Sequence, residues 1–252
     1  EFLLDTFVTV TLYGSKDEAV LDGAMELCRY YDNILDRHNP KSLVSQLNRG
    51  QGPVEIAPEL YDMLKTALQI GALSHGRYDI TIAPVMDLWD FKGETGKVPD
   101  EKKLAQALAL VGQENVLLLE NHMVELKNGA QLDLGSIAKG FIADQMARHL
   151  REQKVPGAIV NLGGNVITVG NKPGNKPFVI GVQKPFGNRQ EIVGSLEISD
   201  LSLVSAGLYE RSFTGEDGVI YHHILDATNG MPAQTGLLSV SILSPSSTWA
   251  DG

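Results

Sequence analysis

Apolar residues recur at helical spacing in several segments, most of them in the first half of the chain. Between residues 16 and 36 they stand three and four positions apart, which predicts an amphipathic helix. Pro58 opens a second long helix at a position where proline is tolerated, and Ser42 is the candidate N-cap of a short helix before it. The predicted helices span residues 16–36, 43–47, 59–74, 85–91 and 100–110, and a last one runs from the segment 133–140 to about residue 153.

Short alternating or continuous apolar runs predict strands, most of them in the second half of the chain. They span residues 5–12, 76–84, 116–119, 123–126, 158–161, 165–169, 178–182, 192–198, 203–206, 209–214, 219–225 and 239–243. A polar loop is predicted over residues 92–99. Helices do not alternate regularly with strands, so the pattern favours an α+β fold with mostly antiparallel or mixed sheets. Without repeats or a linker, we expect one compact domain over residues 1–252, truncated at both ends.

Composition places the chain among globular proteins and narrows its partners. Of the 252 residues, 43% are hydrophobic and 21% charged, which is typical of globular domains. The sequence contains no apolar run of about 18 residues and no signal-peptide pattern. A net charge of −10 argues against nucleic-acid binding. The single cysteine, Cys28, excludes an internal disulfide and is expected to be a buried thiol.

The segment DLGSIAKG, residues 133–140, has the composition of a loop that binds an anion. It is not a P-loop, because Lys139 precedes Gly140 and no serine or threonine follows the glycine. A helix beginning here, with Ser136 as N-cap and Lys139 one turn in, would suit a phosphate. Asp133 would repel a bare phosphate, so we expect it to hold a donor group of a ligand or to lie near a metal. The alternative is an ordinary capped amphipathic helix with Lys139 in solvent.

Other residues that could bind a metal or line a site have simpler interpretations. His222 and His223 are neighbours in one predicted strand, so their side chains point to opposite faces and cannot bind one ion. No histidine or cysteine spacing typical of zinc is present. A hydrogen-bonded or exposed histidine is the simpler interpretation of each, and Trp89 favours a core position. Residues 209, 211 and 213 share a strand face that either lines a site or packs at the surface.

Several motifs together resemble one known family. DLGSIAKGFIAD (133–144) is similar to the signature of the ApbE family, the FAD:protein FMN transferases. Further segments resemble the family's motifs in the family's order: RHNPKSLVSQLN (37–48), YDITIAPVMDLW (78–89), NLGGN (161–165), HILDATNGMP (223–232) and ADG (250–252). The NLGGN segment is followed by a predicted strand, so it does not fit a dinucleotide-binding fingerprint.

The resemblance implies an α+β, T-fold-like domain and a phosphoryl-transfer reaction. Family members cleave the pyrophosphate of FAD and pass FMN to a threonine or serine hydroxyl of a partner flavoprotein, releasing AMP, with Mg²⁺ required. Two alternatives remain open: hydrolysis of FAD to FMN and AMP, and FAD binding without turnover. Many relatives are exported and lipid-anchored at the cell membrane, so an extracytoplasmic location is expected, and no transmembrane segment is predicted.

The resemblance also assigns site residues. It implies FAD contacts at Leu4, His38, Arg77, Tyr78, Asp79, Asp133, Lys139 and Leu225. Mg²⁺ ligands are implied at Ser136 and Asp251, and acid/base or phosphate-orienting work at His223. The sequence departs from the family at Asp5, where glycine is usual, and at Leu43, where glutamate is usual. The family's further metal-binding threonine would follow Gly252.

Overall fold

The computed structural model describes residues 1–91, 96–188 and 190–252, and these form helices and antiparallel sheets. The helices are α1 Glu18–Leu35, α2 Leu43–Asn48, α3 Pro58–Leu73, α4 Ala83–Met86, α5 Glu101–Leu108, α6 Ala138–Glu152 and α7 Ser247–Asp251. The strands are β1 Phe2–Leu3, β2 Thr6–Tyr13, β3 Val54–Glu55, β4 Val116–Leu118, β5 Met123–Leu126, β6 Gly157–Leu162, β7 Asn165–Gly170, β8 Phe178–Gln183, β9 Ile192–Ile198, β10 Ser202–Gly207, β11 Ser212–Thr214, β12 Ile220–His222, β13 Leu225–Asp226, β14 Met231–Pro232 and β15 Ser239–Ser244. All of these strand pairings are antiparallel, which confirms the predicted α+β class.

The described chain divides into two compact units. Unit 1 comprises Glu1–Asn33, Ile137–Gly207 and Ser239–Gly252, and unit 2 comprises Ile34–Ser136 and Leu208–Leu238. One compact domain over residues 1–252 stays a prediction. In the described ranges, none of the helices is long and apolar enough to cross a membrane.

Unit 1 is built on a six-stranded sheet that α6 covers. The strand order is β1-β2-β6-β7-β10-β15, and α6 lies against β6 and β7. The residues predicted to face the core, Ile137, Phe141, Met146 and Leu150, are all buried. Burying a large apolar side chain contributes about 1.5–3 kcal/mol, so this face fixes the helix on the sheet. Cys28 is also buried, as predicted, and burial raises the pKa of its thiol to about 12, which leaves it unreactive.

The NLGGN motif forms the tight turn between β6 and β7. Leu162 pairs with Asn165, so Gly163 and Gly164 are the two turn residues, with φ of 61° and 107°. Residues that carry a side chain rarely adopt such backbone angles, which explains the two glycines. The segment is therefore a hairpin and not a dinucleotide-binding loop.

Unit 2 has a small three-stranded sheet, β3-β5-β4, two short strand pairs and an aromatic core. Trp89 and Tyr221 are buried in a cluster with Val85, Leu104 and Ala107. The Trp89 indole N–H donates to the carbonyl oxygen of Gly230 at 3.0 Å, which satisfies its polar atom. The predicted core position of Trp89 is confirmed.

The predicted strand 76–84 is wrong. The carboxylate of Asp79 accepts the amide and hydroxyl of Thr81, at 2.8 and 2.7 Å, and the amide of Gln113, at 2.9 Å. These bonds curl the backbone into a turn, and only an isolated bridge between Ile82 and Gln131 resembles a strand pairing. The segment then continues into α4 at Ala83.

Other boundaries also differ from the prediction. The helix predicted at 85–91 is the shorter α4, which ends before Trp89. The strand predicted at 219–225 is two strands, β12 and β13, and only part of 209–214 is strand, so the shared face of residues 209, 211 and 213 is not formed. The helix α7 was not predicted. Part of the loop predicted at 92–99 lies outside the described residues.

Candidate functional site

In unit 2, Asp133 is held from both sides. Its Oδ1 accepts the amide of Gly135 at 2.9 Å, and its Oδ2 accepts the Nε–H of Arg37 at 2.8 Å. The preceding backbone is fixed as well, because the Asn48 side-chain amide pairs with both the N–H and the carbonyl of Leu132. The carboxylate therefore has a fixed orientation, with lone pairs left to accept a further donor.

Ser136 does not cap the following helix, which corrects the sequence prediction. The residue before α6 is Ile137, and none of the described side chains caps the helix there. Ser136 is exposed, and its hydroxyl donates to the phenol oxygen of Tyr78 at 3.2 Å. Two predicted site residues, Tyr78 and Ser136, are thus brought together.

Arg77 and Asp79 lie on either side of Tyr78 and differ in what they offer a ligand. The Arg77 side chain is 72% exposed, and its guanidinium contacts Asp226 at 2.5 Å. Burial alone would raise the pKa of Asp226, but the bonds from Thr228 and the charge of Arg77 lower it overall. The carboxylate of Asp79 is occupied by Thr81 and Gln113, so it shapes the turn that presents its neighbours.

The two histidines occupy different environments. The ring Nδ1 of His223 lies 3.2 Å from the carbonyl oxygen of Arg211, which also accepts the His223 amide. His222 is buried, its Nδ1 has no hydrogen-bond partner among the described residues, and burial lowers its pKa. His222 is therefore a neutral core residue, while His223 is half-buried beside a carbonyl.

The three remaining predicted FAD contacts outside α6 are spread over both units. In unit 2, His38 is exposed and its amide donates to Asp36, while Leu225 lies at the edge of the aromatic core. In unit 1, Leu4 is half-buried in the turn between β1 and β2, with φ of 54°, followed by Asp5 with φ of 58°. The turn is thus left-handed at both positions, which explains why glycine suits the place of Asp5.

In unit 1, the first turn of α6 meets α7 through a carboxylate. The amide of Gly140 donates to Asp251 Oδ2 at 2.7 Å. Burial raises the pKa of Asp251, while the positive charge of Lys139 and the Gly140 amide act in the opposite direction. The helix N-terminus thus already holds one anion, the carboxylate of Asp251, which its dipole favours. Phosphate binding there must use other donors, such as Lys139.

Asp144, the last residue of the DLGSIAKGFIAD segment, ties α7 to α6. Its carboxylate accepts four hydrogen bonds of 2.7 to 3.0 Å, from Ser246, the amide of Ser247, and the amide and hydroxyl of Thr248. A carboxylate at a helix N-terminus satisfies amides that have no partner within the helix. Asp144 thus sets where Asp251, at the far end of α7, is placed.

Sequence reasoning missed four residues that organise these surroundings. They are Arg37, Asn48, Asp144 and Asp226. All of them lie inside the segments that resemble family motifs. Their charged or amide side chains within a motif were the signal from which a role in organising the site could have been predicted. The described residues contain no cluster of three histidine, cysteine or acidic side chains able to hold a metal. The two predicted metal ligands, Ser136 and Asp251, fall in different units.

Comparison with known proteins decides the family. Residues 4–252 match the model of the ApbE family. The chain belongs to the ApbE family. The matched range includes every predicted site residue from Leu4 to Asp251, although the role of each one stays a prediction.

Individual ApbE relatives align along nearly the whole chain. It is 34% identical to the FAD:protein FMN transferase of Klebsiella pneumoniae, over 99% of the chain and 78% of the relative. It is also 34% identical to the FAD:protein FMN transferase of Treponema pallidum, over 100% of the chain and 75% of the relative. The crystal structure of the ApbE protein from Thermotoga maritima matches with a TM-score of 0.88 and 32% identity, covering 100% of this chain and 82% of that one. The predicted ApbE-like fold is confirmed.

Proposed function

We propose that this chain is a FAD:protein FMN transferase, which moves FMN from FAD to a partner protein. The observation that carries the proposal is the ApbE match over residues 4–252, with relatives of that name aligned along nearly the full chain. The enzyme is a transferase whose substrates are FAD and an acceptor protein.

The finer chemistry belongs to the proposal as well. The acceptor is a threonine or serine hydroxyl, whose oxygen forms a bond to the FMN phosphorus. The bond between that phosphorus and the bridging oxygen of the pyrophosphate breaks, and AMP leaves with the bridging oxygen. The hydroxyl proton must be removed, and positive charge near the phosphates stabilises the transition state. Lys139, in the first turn of α6, is proposed to supply such charge.

His223 is the proposed acid/base group. A carbonyl oxygen only accepts hydrogen bonds, so the contact with Arg211 assigns the proton of the neutral ring to Nδ1. In that tautomer Nε2 carries the lone pair that can take a proton from the acceptor hydroxyl. This role rests on the resemblance and on the geometry of this one contact.

Mg²⁺ is proposed as the metal, with Asp251 and Ser136 as ligands from this chain. Burial disfavours the ionised form of the Asp251 carboxylate, and a bound cation would stabilise that form. The carboxylate therefore suits a hard cation such as Mg²⁺. Ser136 is exposed and offers its hydroxyl and main-chain carbonyl oxygens, which hard cations also accept as ligands. When bound, Mg²⁺ supplies neutralisation of pyrophosphate charge. Removal of Mg²⁺ with a chelator is expected to abolish transfer and to be reversed by adding the ion.

One experiment separates transfer from the two alternatives. The protein is incubated with FAD, Mg²⁺ and an acceptor domain, then denatured and examined for flavin fluorescence. Fluorescence on the acceptor supports transfer. Free FMN alone supports hydrolysis, and unchanged FAD supports binding without turnover.

Location outside the cytoplasmic membrane with a lipid anchor is proposed from the resemblance alone, and fractionation of cells that express the full gene tests it.

A further inference from the structure

Arg37 lies between two carboxylates that are far from it in the sequence. Its Nε–H donates to Asp133 Oδ2 at 2.8 Å, and its Nη2 lies 2.7 Å from Asp87 Oδ1. The Arg37 side chain is 15% exposed and that of Asp133 is 20% exposed, whereas that of Asp87 is 51% exposed. The contact with Asp133 is therefore the better shielded of the two, and water screens it less.

We propose that Arg37 is a positioning residue for FAD, acting through Asp133; the inference rests on the proposed function. It holds the carboxylate in one orientation and offsets its negative charge, so that an anionic ligand can bind nearby. Asp133 then uses its remaining lone pairs to accept a donor of the nucleotide. Arg37 itself need not touch FAD.

The backbone of Arg37 is fixed in a way that suits this role. Its carbonyl oxygen accepts the hydroxyl of Ser45 in α2 at 2.8 Å. The next residue, His38, donates its amide to Asp36 at 2.9 Å. With its backbone held and its planar guanidinium placed between two carboxylates, the arginine has one favoured geometry. A lysine would keep the charge but could not bridge both partners with the same geometry.

The charge on Arg37 is secure. Burial acts to lower its pKa, but the hydrogen bond that Arg37 donates to Asp87 and the charge of Asp133 raise it overall. The guanidinium therefore stays protonated, and it offsets the charge of the ionised Asp133 carboxylate.

The sequence problem that Asp133 posed is resolved by this arrangement. An acidic residue five positions before the start of a helix proposed to bind phosphate would repel a pyrophosphate if its charge were unopposed. With Arg37 as its partner, Asp133 can recognise a donor group without that cost. The pair thus separates recognition of the nucleotide from neutralisation of its phosphates.

The test compares variants of Arg37 with a matched control. FAD affinity is measured by titration of flavin fluorescence, and KM and kcat are measured in the transfer reaction with the acceptor protein. Arg37→Met is expected to weaken FAD binding and to raise KM roughly ten- to a hundredfold, because an ionic hydrogen bond is lost. The value of kcat is expected to fall less than about threefold, because Asp133 acts on binding. Arg37→Lys is expected to have a FAD affinity and a KM between those of the wild type and Arg37→Met, because lysine keeps the charge but not the geometry.

The control is Arg29→Met, which removes an exposed ion pair with Glu1 in unit 1. It is expected to leave affinity, KM and kcat unchanged. Melting curves for every variant show whether the protein is folded at the assay temperature. If Arg37→Met does not fold, Arg37→Lys carries the test. Wild-type FAD affinity in a folded Arg37 variant overturns the inference, even if its melting temperature is lower.

A double-variant cycle tests whether Arg37 acts through Asp133. In an Asp133→Asn background, the Arg37 substitution is expected to weaken FAD binding by much less than it does alone. Fully additive effects would mean that the two residues act independently and would overturn the inference. A folded wild-type protein that binds no FAD refutes both this inference and the proposed function. FAD binding without transfer refutes only the transfer step and leaves the affinity comparison valid.

Discussion

Gly140→Ala is a sharp test of how α6 and α7 place Asp251. A Cβ atom at residue 140 would lie 2.3 Å from the carbonyl oxygen of Ser247 and 2.6 Å from Asp251 Cβ. The first of these is a backbone atom in α7, so it cannot move aside without moving that helix. The substitution should therefore push α7 away from α6 and break the 2.7 Å bond between the Gly140 amide and Asp251.

The magnitude follows from three effects. Overpacking costs about 1–3 kcal/mol, and loss of a hydrogen bond to a carboxylate costs about 1.5–3 kcal/mol. Alanine is the better helix former by about 1 kcal/mol, which acts in the opposite direction. The net loss is about 1.5–5 kcal/mol in the free energy of unfolding. For a chain of this size, that lowers Tm by roughly 3–20 °C. Because Asp251 is a proposed Mg²⁺ ligand, its displacement should abolish transfer in protein that is still folded.

The control is Gly194→Ala in β9, where an added Cβ meets no atom of the described residues within 4 Å. It should leave stability unchanged or raise it slightly, by about 0.4–1 kcal/mol. Both variants are followed by thermal melting and by the transfer assay well below Tm. A Gly140→Ala protein with wild-type Tm and wild-type transfer would refute the close contact between α6 and α7.

Three further predictions test other parts of the account. Asp133→Ala, Lys139→Ala and His223→Ala are each expected to reduce transfer while circular dichroism stays that of the wild type; unchanged rates in all three would contradict the site assignment. Asp144→Ala removes the acceptor of four hydrogen bonds and should lower the free energy of unfolding by about 3 kcal/mol in urea melts; an unchanged midpoint would show that α7 is held by other contacts. Burial lowers the pKa of His222, so the unfolded chain takes up more protons below about pH 6.5, and the stability present above that pH is lost as the pH falls. His222→Gln should flatten this pH dependence below about pH 6.5, and an equally steep dependence in the variant would assign it to other groups.

Local signals in the sequence located several helices correctly. Ser42 caps α2 by accepting the amide of Ser45, and Pro58 opens α3 at its first position. Asp100 caps α5 by accepting the amides of Lys102 and Lys103. These signals depend on a few consecutive residues, so the sequence carries them in full.

The errors arose where a side chain overrides the local pattern. The alternation of Tyr78, Ile80 and Ile82 resembles a strand, but the carboxylate of Asp79 accepts hydrogen bonds from the amides of Thr81 and Gln113, which curls the chain. One of those amides belongs to Gln113, which lies 34 residues away. No pattern within the segment could have predicted that bond.

The contacts that organise the site are also long-range. Arg37 meets Asp133 across 96 residues, and Asp144 meets Thr248 across 104. The family motifs identified the segments that carry these residues, but only the fold shows which side chains meet. The same reason explains the error at Ser136, whose hydroxyl bonds to Tyr78 instead of capping α6.

The central claim is that this chain attaches FMN to a protein hydroxyl. The most direct test is the intact mass of an acceptor domain after incubation with the enzyme, FAD and Mg²⁺, together with the same acceptor whose target hydroxyl residue is replaced by alanine. The account predicts a gain of one FMN joined through a phosphoester, seen only with the hydroxyl present, and release of AMP. An unmodified acceptor in the presence of bound or hydrolysed FAD would contradict it.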